Sequence, residues 1–295
     1  MPDRPPASRR AAPSAPPVID RSITLLGPRS SGKTTYLSAL AYFPERRYSE
    51  GPTAPFVVRP TNLGARTLKQ EAKIKLIGGT GHAATQILEP DYSFRIEVNC
   101  TKPSVSLVLN ATDFPGEGLD YIDAPGSQYR QYLERKLTEK GQEQSLLILL
   151  GDWEPPYSDS ALSGVFEIFT QIIKDSGDPD SLGGWRFAVV MNKCERGELW
   201  PLRHDPRRDI FQRFLPDTKE SLEDFLTTFR IPPSNLEFFA MSTFGVLKDK
   251  PIPNRKKESQ DSDRDSLRDG QQWRPYGLVD PLYWLATGRR LKRHV

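Results

Sequence analysis

The sequence predicts a three-layer α/β fold in which a mostly parallel six-stranded sheet, with one antiparallel strand, carries helices on both faces. Apolar runs alternate with helical patterns along most of the chain, with one hairpin signal near the start. A glycine-rich loop, GPRSSGKT, separates the first strand from the first helix. Because the carboxyl ends of parallel strands meet at one end of the sheet, we expect the ligand there.

The first strand is predicted at Ser22–Leu26, and helical spacing follows over 34–43. Residues 92–99 and 104–111 alternate with period two, which predicts a hairpin. The remaining predicted elements are helices over 128–140, 161–174, 207–230 and 279–289 and buried strands over 146–150, 186–191 and 236–241.

Composition predicts a single domain over 18–295, preceded by a disordered tail over 1–17 that is rich in proline, alanine and arginine. Two insertions are expected in the domain, a long one at about 44–91 and a charged, flexible one at about 248–272. No apolar run approaches the ~20 residues that span a bilayer, and no signal peptide is recognisable. We therefore expect a cytoplasmic protein.

Charge and cysteine usage narrow the functional classes. A net charge of +3 with scattered basic residues gives no reason to expect a specific nucleic-acid ligand. Cys100 and Cys194 match no metal or redox spacing, which fits a reducing compartment.

The loop GPRSSGKT matches G-x-x-x-x-G-K-[ST] and has a strand before it and a helix after it. Its backbone N–H groups would surround the β-phosphate, Lys33 would bridge the β- and γ-phosphates, and the Thr34 hydroxyl would bind Mg²⁺. The predicted nucleotide-binding residues of this loop are Gly27, Arg29, Ser30, Ser31, Gly32, Lys33, Thr34 and Thr35.

Three further motifs follow at strand ends. DFPG places Asp113 where its carboxylate can hold Mg²⁺ through water and Gly116 where its N–H can sense the γ-phosphate. NKCE places Asn192, Lys193 and Glu195 after a buried strand and resembles the N-K-x-D guanine motif, with Glu for Asp. The last motif has Ser242 and Thr243 after the strand LEFFAM, where a backbone N–H would meet the guanine oxygen.

With these motifs in this order, the region from about Ser22 to Met241 resembles the Ras-like GTPases of the TRAFAC class, a P-loop NTPase group. GPRSSGKTTYLSAL, DFPGE and a final helix with PLYWL look like the bacterial double-GTPase group within it. The resemblance implies GTP and GDP as ligands, Mg²⁺ as cofactor, partners or effectors at the switch loops, and a nucleotide-dependent dimer. It also implies a role in bacterial multi-protein systems, including defence.

Ras-like proteins close a first-switch threonine onto Mg²⁺, and Thr85 is the preferred candidate here, with Thr80 second. The others are Thr53, Thr61 and Thr67. Glu117 stands where these GTPases often carry a water-orienting glutamine. Its carboxylate can orient or deprotonate water as a catalytic residue, but its charge also repels the γ-phosphate.

Arg29 replaces the glycine that is usual in the phosphate loop of these proteins. A side chain there can obstruct an arginine finger from a partner, or it can supply the charge itself as a cis catalytic arginine. The plain alternative is that it points to solvent. His82 is a weaker candidate base. Together with Glu117, Arg29 predicts a slow GTPase switch. An ATPase or broad-specificity NTPase, and a nucleotide-binding pseudo-GTPase scaffold, are the alternatives.

Overall fold

The computed structural model describes residues 18–28, 30–47, 54–78, 91–102, 104–113, 124, 127–138, 144–151, 157–176, 182–247, 251–257 and 265–291. Within these ranges the predicted α/β architecture is confirmed. The main sheet has seven strands, one more than predicted, and a separate two-stranded sheet accompanies it. The predicted N-terminal tail lies outside the described residues. No helix among the described residues is both long and apolar enough to cross a bilayer.

The strand order of the main sheet is β2-β3-β4-β1-β5-β6-β7. β3 runs antiparallel to its two neighbours, and the other pairs are parallel, as the sequence predicts. The strands are β1 (Val18–Leu26), β2 (Phe56–Pro60), β3 (Asp91–Val98), β4 (Val105–Asp113), β5 (Gln144–Leu150), β6 (Arg186–Met191) and β7 (Leu236–Ala240).

Helices cover both faces of this sheet and enclose two hydrophobic cores. The longer helices are α1 (Lys33–Arg47), α2 (Leu63–Ala72), α3 (Gln128–Thr138), α4 (Tyr157–Ser176), α7 (Pro216–Thr228) and α8 (Asp280–Thr287), with the short α5 (Leu199–Leu202) and α6 (Gln212–Phe214) between α4 and α7. Every residue of β5, an interior strand beside β1, is buried. Because successive side chains of a strand point to opposite faces, Leu147 and Leu149 join the core under α1, α2 and α8, and Leu146, Ile148 and Leu150 join the core under α3, α4 and α7.

The extra strand, β2, lies inside the segment predicted as a long insertion. It pairs with β3 from Phe56↔Val98 to Pro60↔Phe94, and α2 follows it. Asn62 caps α2 by accepting the Ala65 N–H at 2.9 Å. The described part of this segment is therefore an ordered extension of the sheet.

The segment predicted as a charged, flexible insertion also differs from that expectation where it is described. Residues 255–257 form β8 and residues 265–267 form β9, and the two strands pair antiparallel. Leu267 of β9 is buried in the same core as α1 and α8. This hairpin is anchored to the domain, which a count of charges along the segment does not indicate.

The stretch predicted to be mostly helical over 207–230 is mostly helical in the structure, with an interruption just before Pro216. A π-helical turn at Arg207–Phe211 leads into α6, and α7 starts afresh with Pro216 in its first turn. Proline has no N–H to donate, so it is accommodated at a helix start rather than inside one. The Asp159 carboxylate of α4 accepts the Thr218 N–H at 2.6 Å and so caps the new helix.

Candidate nucleotide-binding site

The glycine-rich loop is held tightly between β1 and α1. A Cβ on Gly27 would lie 2.2 Å from the carbonyl oxygen of Leu149, so only glycine fits there. Gly32 has φ +89°, and a Cβ on it would lie 2.7 Å from Nδ2 of Asn192. Gly151, which sequence reasoning missed, faces the loop from the end of β5, and its Cβ would lie 2.7 Å from the Ser31 Cα. The sequence signal that could have identified Gly151 is its position directly after a buried strand.

Lys33 is the first residue of α1, and its side chain folds back over the loop. Its Nζ donates to the carbonyl oxygens of Gly27 at 2.7 Å and Pro28 at 3.3 Å. The residue is only 6% exposed, so the ammonium is fixed beside the loop. The N-terminus of the 15-residue helix α1 adds backbone N–H groups and the positive end of its dipole. An anion such as a phosphate would be stabilised here.

Asn192 connects this loop to the end of β7. Its Nδ2 donates to the Ser31 carbonyl oxygen at 2.9 Å, and its Oδ1 accepts from the Thr243 hydroxyl at 3.3 Å. Asn192 and Thr243 are both buried. Three predicted site segments, far apart in sequence, are therefore joined by one side chain.

Lys193 and Ser30 form a second connection between the same loops. Both have left-handed backbones, with φ 58° and 61°, and the Lys193 Nζ donates to the Ser30 carbonyl oxygen at 2.5 Å. Non-glycine residues rarely adopt this conformation, and such residues cluster at ligand sites. The lysine stem thus runs along one side of the loop.

Glu195 is a buried carboxyl beside these residues. It is 1% exposed, and among the described residues neither oxygen has a hydrogen-bond partner. Burial raises its pKa, whereas the nearby Ser242 hydroxyl, its own backbone N–H, Arg196 and Arg255 act in the opposite direction. The Ser242 hydroxyl lies near the carboxyl but forms no hydrogen bond with it. A buried carboxyl with unfilled acceptor positions is costly unless a ligand supplies donors.

The loop after β7 is clamped by the segment that precedes α8. The Ser242 N–H donates to the Tyr276 carbonyl oxygen at 3.0 Å, and the Trp273 indole N–H donates to the Thr243 carbonyl oxygen at 2.9 Å. Trp273 also contacts the ring of Phe43 near the end of α1, with centroids 5.1 Å apart. The Ser242 N–H is thus used internally, which leaves the Thr243 N–H as the candidate donor to a base. Sequence reasoning missed this clamp because its two halves are about 30 residues apart.

The β8–β9 hairpin brings further charges towards Glu195. Arg255 Nη1 lies 2.9 Å from both carboxylate oxygens of Asp265, and Arg196 Nη2 lies 3.6 Å from Asp265 Oδ2. These side chains are mostly buried, with the two arginines 22% and 21% exposed. Sequence reasoning assigned this hairpin to a flexible insertion and so missed it as part of the site.

Two of the three predicted Mg²⁺ residues, Thr34 and Asp113, are described, and their backbones lie at the same end of the sheet. Thr34 is in the first turn of α1, and Asp113 ends β4, where it pairs with Leu25 of β1. A hydroxyl and a carboxylate are hard oxygen ligands of the kind Mg²⁺ prefers, so the donor set fits that ion.

Several predicted residues of the catalytic and switch regions lie outside the described residues. They are Arg29, Thr53, Thr80, His82, Thr85, Gly116 and Glu117. Two weaker switch candidates are described, and neither supports a metal role: Thr61 donates to the Ser93 hydroxyl at 2.6 Å, and Thr67 lies within α2.

No protein-family model and no curated protein matches the chain. It is similar to the solved Ski7 GTPase-like domain of S. cerevisiae bound to GDP and inorganic phosphate, with 16% identity, 76% of this chain covered and a TM-score of 0.40. It is also similar to the SRb-GTP/SRX complex of Chaetomium thermophilum (13% identity, 94% covered, TM-score 0.42) and to sup35 complexed with GDP (10%, 80%, 0.32).

The chain spans 43% of the Ski7 chain, 40% of the sup35 chain and all of the SRb complex chain. At TM-scores below 0.5 these similarities carry no weight for function.

Proposed function

We propose that this protein is a GTP-binding molecular switch that hydrolyses GTP to GDP slowly with Mg²⁺. The observation that supports this most is the position of Asn192, which ties the phosphate loop at Ser31 to the β7 loop at Thr243. One ligand that contacts all three segments would be held at its phosphates and at its base together. That arrangement suits a nucleoside triphosphate.

The phosphate end would be bound by the loop and the start of α1. Gly27 and Gly32 permit close backbone approach, and Lys33 is fixed beside the loop by the Gly27 and Pro28 carbonyl oxygens. Its ammonium would reach the β- and γ-phosphates, with Thr34 and Thr35 following in the first turn of α1.

The base would be selected by Glu195 and the β7 loop. A carboxylate that lacks donors can accept two hydrogen bonds from the N1 and N2 edge of guanine, which adenine cannot offer. The Thr243 N–H would donate to the guanine oxygen, and the Lys193 stem would pack along the ring. GTP and GDP are therefore the proposed ligands.

Mg²⁺ would supply charge compensation for the phosphates, held by Thr34, by Asp113 through water and by Thr85. The Gly116 N–H would report the presence of the γ-phosphate to partners through the switch loops. Slow hydrolysis is proposed because Glu117 carries a negative charge where a neutral glutamine would orient water, and because a side chain at Arg29 would obstruct an arginine finger from a partner. In the alternative role, Arg29 would supply that positive charge in cis. Signalling within a bacterial multi-protein system, including defence, is the proposed setting.

A broad-specificity NTPase or ATPase is the second candidate, favoured by two features of Glu195. Glu195 has an arm one methylene longer than the aspartate of the N-K-x-D motif, and its burial favours the neutral carboxyl. Both features weaken discrimination against adenine. A nucleotide-binding scaffold without turnover is the third candidate, and it predicts tight GTP binding with no sustained phosphate release.

The test is the affinity for GTP, GDP and ATP, together with phosphate release, on the wild type and on Lys33→Ala. We expect the wild type to bind GTP and GDP much more tightly than ATP and to release phosphate slowly. Lys33→Ala should bind GTP at least about a hundredfold more weakly, because charge-assisted phosphate contacts are lost. Lys219→Ala is the matched control, since this lysine pairs with Glu223 on α7. Equal loss in both variants, or no binding by the wild type, would refute the proposal.

A further inference from the structure

We propose that a cavity beside the carboxyl end of β7 binds a small monocarboxylic acid with an apolar body, and that the Arg203 guanidinium binds its carboxylate. The cavity has a volume of about 140 Å³ and lies between the end of β7, the loop after α5 and the residues that flank α8. No residue of the phosphate loop lines it. The inference is therefore independent of the proposed nucleotide function and assigns a ligand to residues outside the four motifs.

The walls of the cavity are largely apolar. Phe238, Phe239 and Ala240 of β7 line it and are at most 7% exposed, and Pro206 and Leu291 complete the apolar lining. An apolar cavity of about 150 Å³ is large enough to bind benzene. The cavity beside β7 is therefore of the right size for a body of about six carbon atoms, which would be stabilised there by leaving water.

Arg203 brings a positive charge to this lining. Its guanidinium carbon lies 4.1 Å from the centroid of the Trp200 ring and 5.3 Å from that of the Tyr276 ring. Within the part of the chain that the structure describes, no carboxylate forms an ion pair with it. Stacking on aromatic faces fixes the plane of a guanidinium and leaves its N–H groups free to bind a ligand at the edge of that plane.

The nitrogen of Arg203 that can serve a ligand is Nη2. Nη1 donates to the Trp200 carbonyl oxygen, and Nε is buried with no hydrogen-bond partner among the described residues. Nη2 differs from both, because it forms no hydrogen bond with a described residue and is accessible to solvent. A carboxylate at this nitrogen would make a charge-assisted hydrogen bond to a group that is already held in place.

The other charged residues of the lining favour a ligand with a single negative charge. Arg290 is committed to the Glu237 carboxylate, at 2.9 and 3.1 Å, and to the Phe238 carbonyl oxygen at 3.2 Å. Asp280 is 5% exposed and is engaged within the chain, so it is not a site for a cationic ligand. Its negative charge would repel a second charge on an anion. A monocarboxylate therefore fits this cavity better than a phosphate.

The experiment titrates the full chain with benzoate in a calorimeter at neutral pH. We expect saturable binding at one site. Benzamide keeps the apolar body without the charge, and inorganic phosphate keeps a charge without the body, so each should bind at least about tenfold more weakly. No saturable binding up to about 10 mM benzoate, or equal affinity for benzoate and benzamide, would overturn the inference. Since no probe contains a nucleotide, either result leaves the proposed function untouched.

Variants of Arg203 test the carboxylate contact. Arg203→Met removes the charge and keeps an apolar stem, so it should bind benzoate at least about tenfold more weakly. Arg203→Lys keeps the charge without the planar fork and should lie between the two. Arg208→Met is the matched control, since that arginine is 71% exposed and pairs with Asp205 and Asp209. Equal benzoate affinity in Arg203→Met and Arg208→Met would mean that Arg203 does not bind the carboxylate.

A fourth variant tests the place of binding. Ala240→Leu adds three carbon atoms to the wall of the cavity and should abolish benzoate binding by occupying the space of its ring. Thermal unfolding of every variant shows whether it is folded, and only folded variants are compared. If folded Ala240→Leu binds benzoate as the wild type does, the ligand lies outside this cavity and the inference fails.

Discussion

The side-chain amide of Asn192 donates a hydrogen bond to the Ser31 carbonyl oxygen at 2.9 Å, joining two loops that are 161 residues apart in sequence. The same side chain accepts from Thr243. Since these loops approach a common space at the carboxyl ends of β1, β6 and β7, Asn192 fixes the spacing between the proposed phosphate and base subsites. Loss of this side chain should therefore weaken ligand binding as well as the fold.

Asn192→Ala should weaken GTP binding by about tenfold or more and lower the free energy of unfolding by about 1–3 kcal/mol, because buried partners lose their bonds. Titration calorimetry and urea unfolding measure the two effects. Asn235→Ala is the matched control: that amide donates to the Trp185 carbonyl oxygen at 2.9 Å, away from the loop. Its variant should lose stability only. A similar loss of affinity in both variants would contradict the role of Asn192.

Gly27→Ala should abolish nucleotide binding and destabilise the protein, because its Cβ would lie 2.2 Å from a backbone oxygen of β5. Backbone shifts of this kind cost about 1–3 kcal/mol. Gly184→Ala provides the comparison, since a Cβ there meets nothing within 4 Å. Thermal unfolding and GTP titration should show a loss of stability and of GTP binding in Gly27→Ala and little change in Gly184→Ala. A Gly27→Ala protein that binds GTP normally would show that the loop is less constrained than described.

Glu195→Gln should raise the free energy of unfolding at pH 7. Burial raises the pKa of this carboxyl above its ordinary 4.5 in the folded protein, so the unfolded chain ionises first as pH rises. The wild type therefore loses stability between the pKa of the unfolded chain and the higher pKa of the folded protein. A neutral amide avoids the penalty, and the advantage should vanish below about pH 4.5. Glu223→Gln, which removes exposed pairs with Arg207 and Lys219, should instead cause a small loss. If the wild type is more stable than Glu195→Gln at pH 7, the predicted direction of the change in unfolding free energy is wrong.

Tyr36→Phe should reduce stability at neutral pH by about 1 kcal/mol, because the buried hydroxyl donates to the Leu278 carbonyl oxygen at 2.9 Å. Burial, with a contribution from Asp280, holds the Tyr36 pKa well above its ordinary 10.0. The unfolded chain therefore ionises first, and the wild type should lose stability as pH rises beyond about 10. Tyr276, whose pKa burial raises to about 12, adds to the same trend.

The two proteins should consequently converge in stability between pH 7 and pH 11 in urea titrations. Parallel curves across that range would mean that the Tyr36 hydroxyl ionises equally in the folded and unfolded states.

Hydrophobic periodicity was sufficient to predict most of the sheet. LLILL in β5 and RFAVVM in β6 are short apolar runs that only a doubly covered strand can bury, and both are buried in the structure. β2 was missed because FVVRP is short and ends in proline, and its strand character depends on pairing with β3. The β8–β9 hairpin was missed because its short strands are polar and have no hydrophobic alternation. Like β2, they are ordered by tertiary contacts.

The order of residues along the chain determined that Lys33, Thr34, Asn192 and Glu195 follow the ends of buried strands, and parallel pairing alone brings such ends together. Only the tertiary structure decided what surrounds them. The burial of Glu195, the bridge from Asn192 to Ser31 and the approach of Arg255 all depend on contacts between segments distant in sequence. Local patterns specify where a strand ends, whereas the dielectric environment and partners of a side chain are set by elements that no local pattern contains.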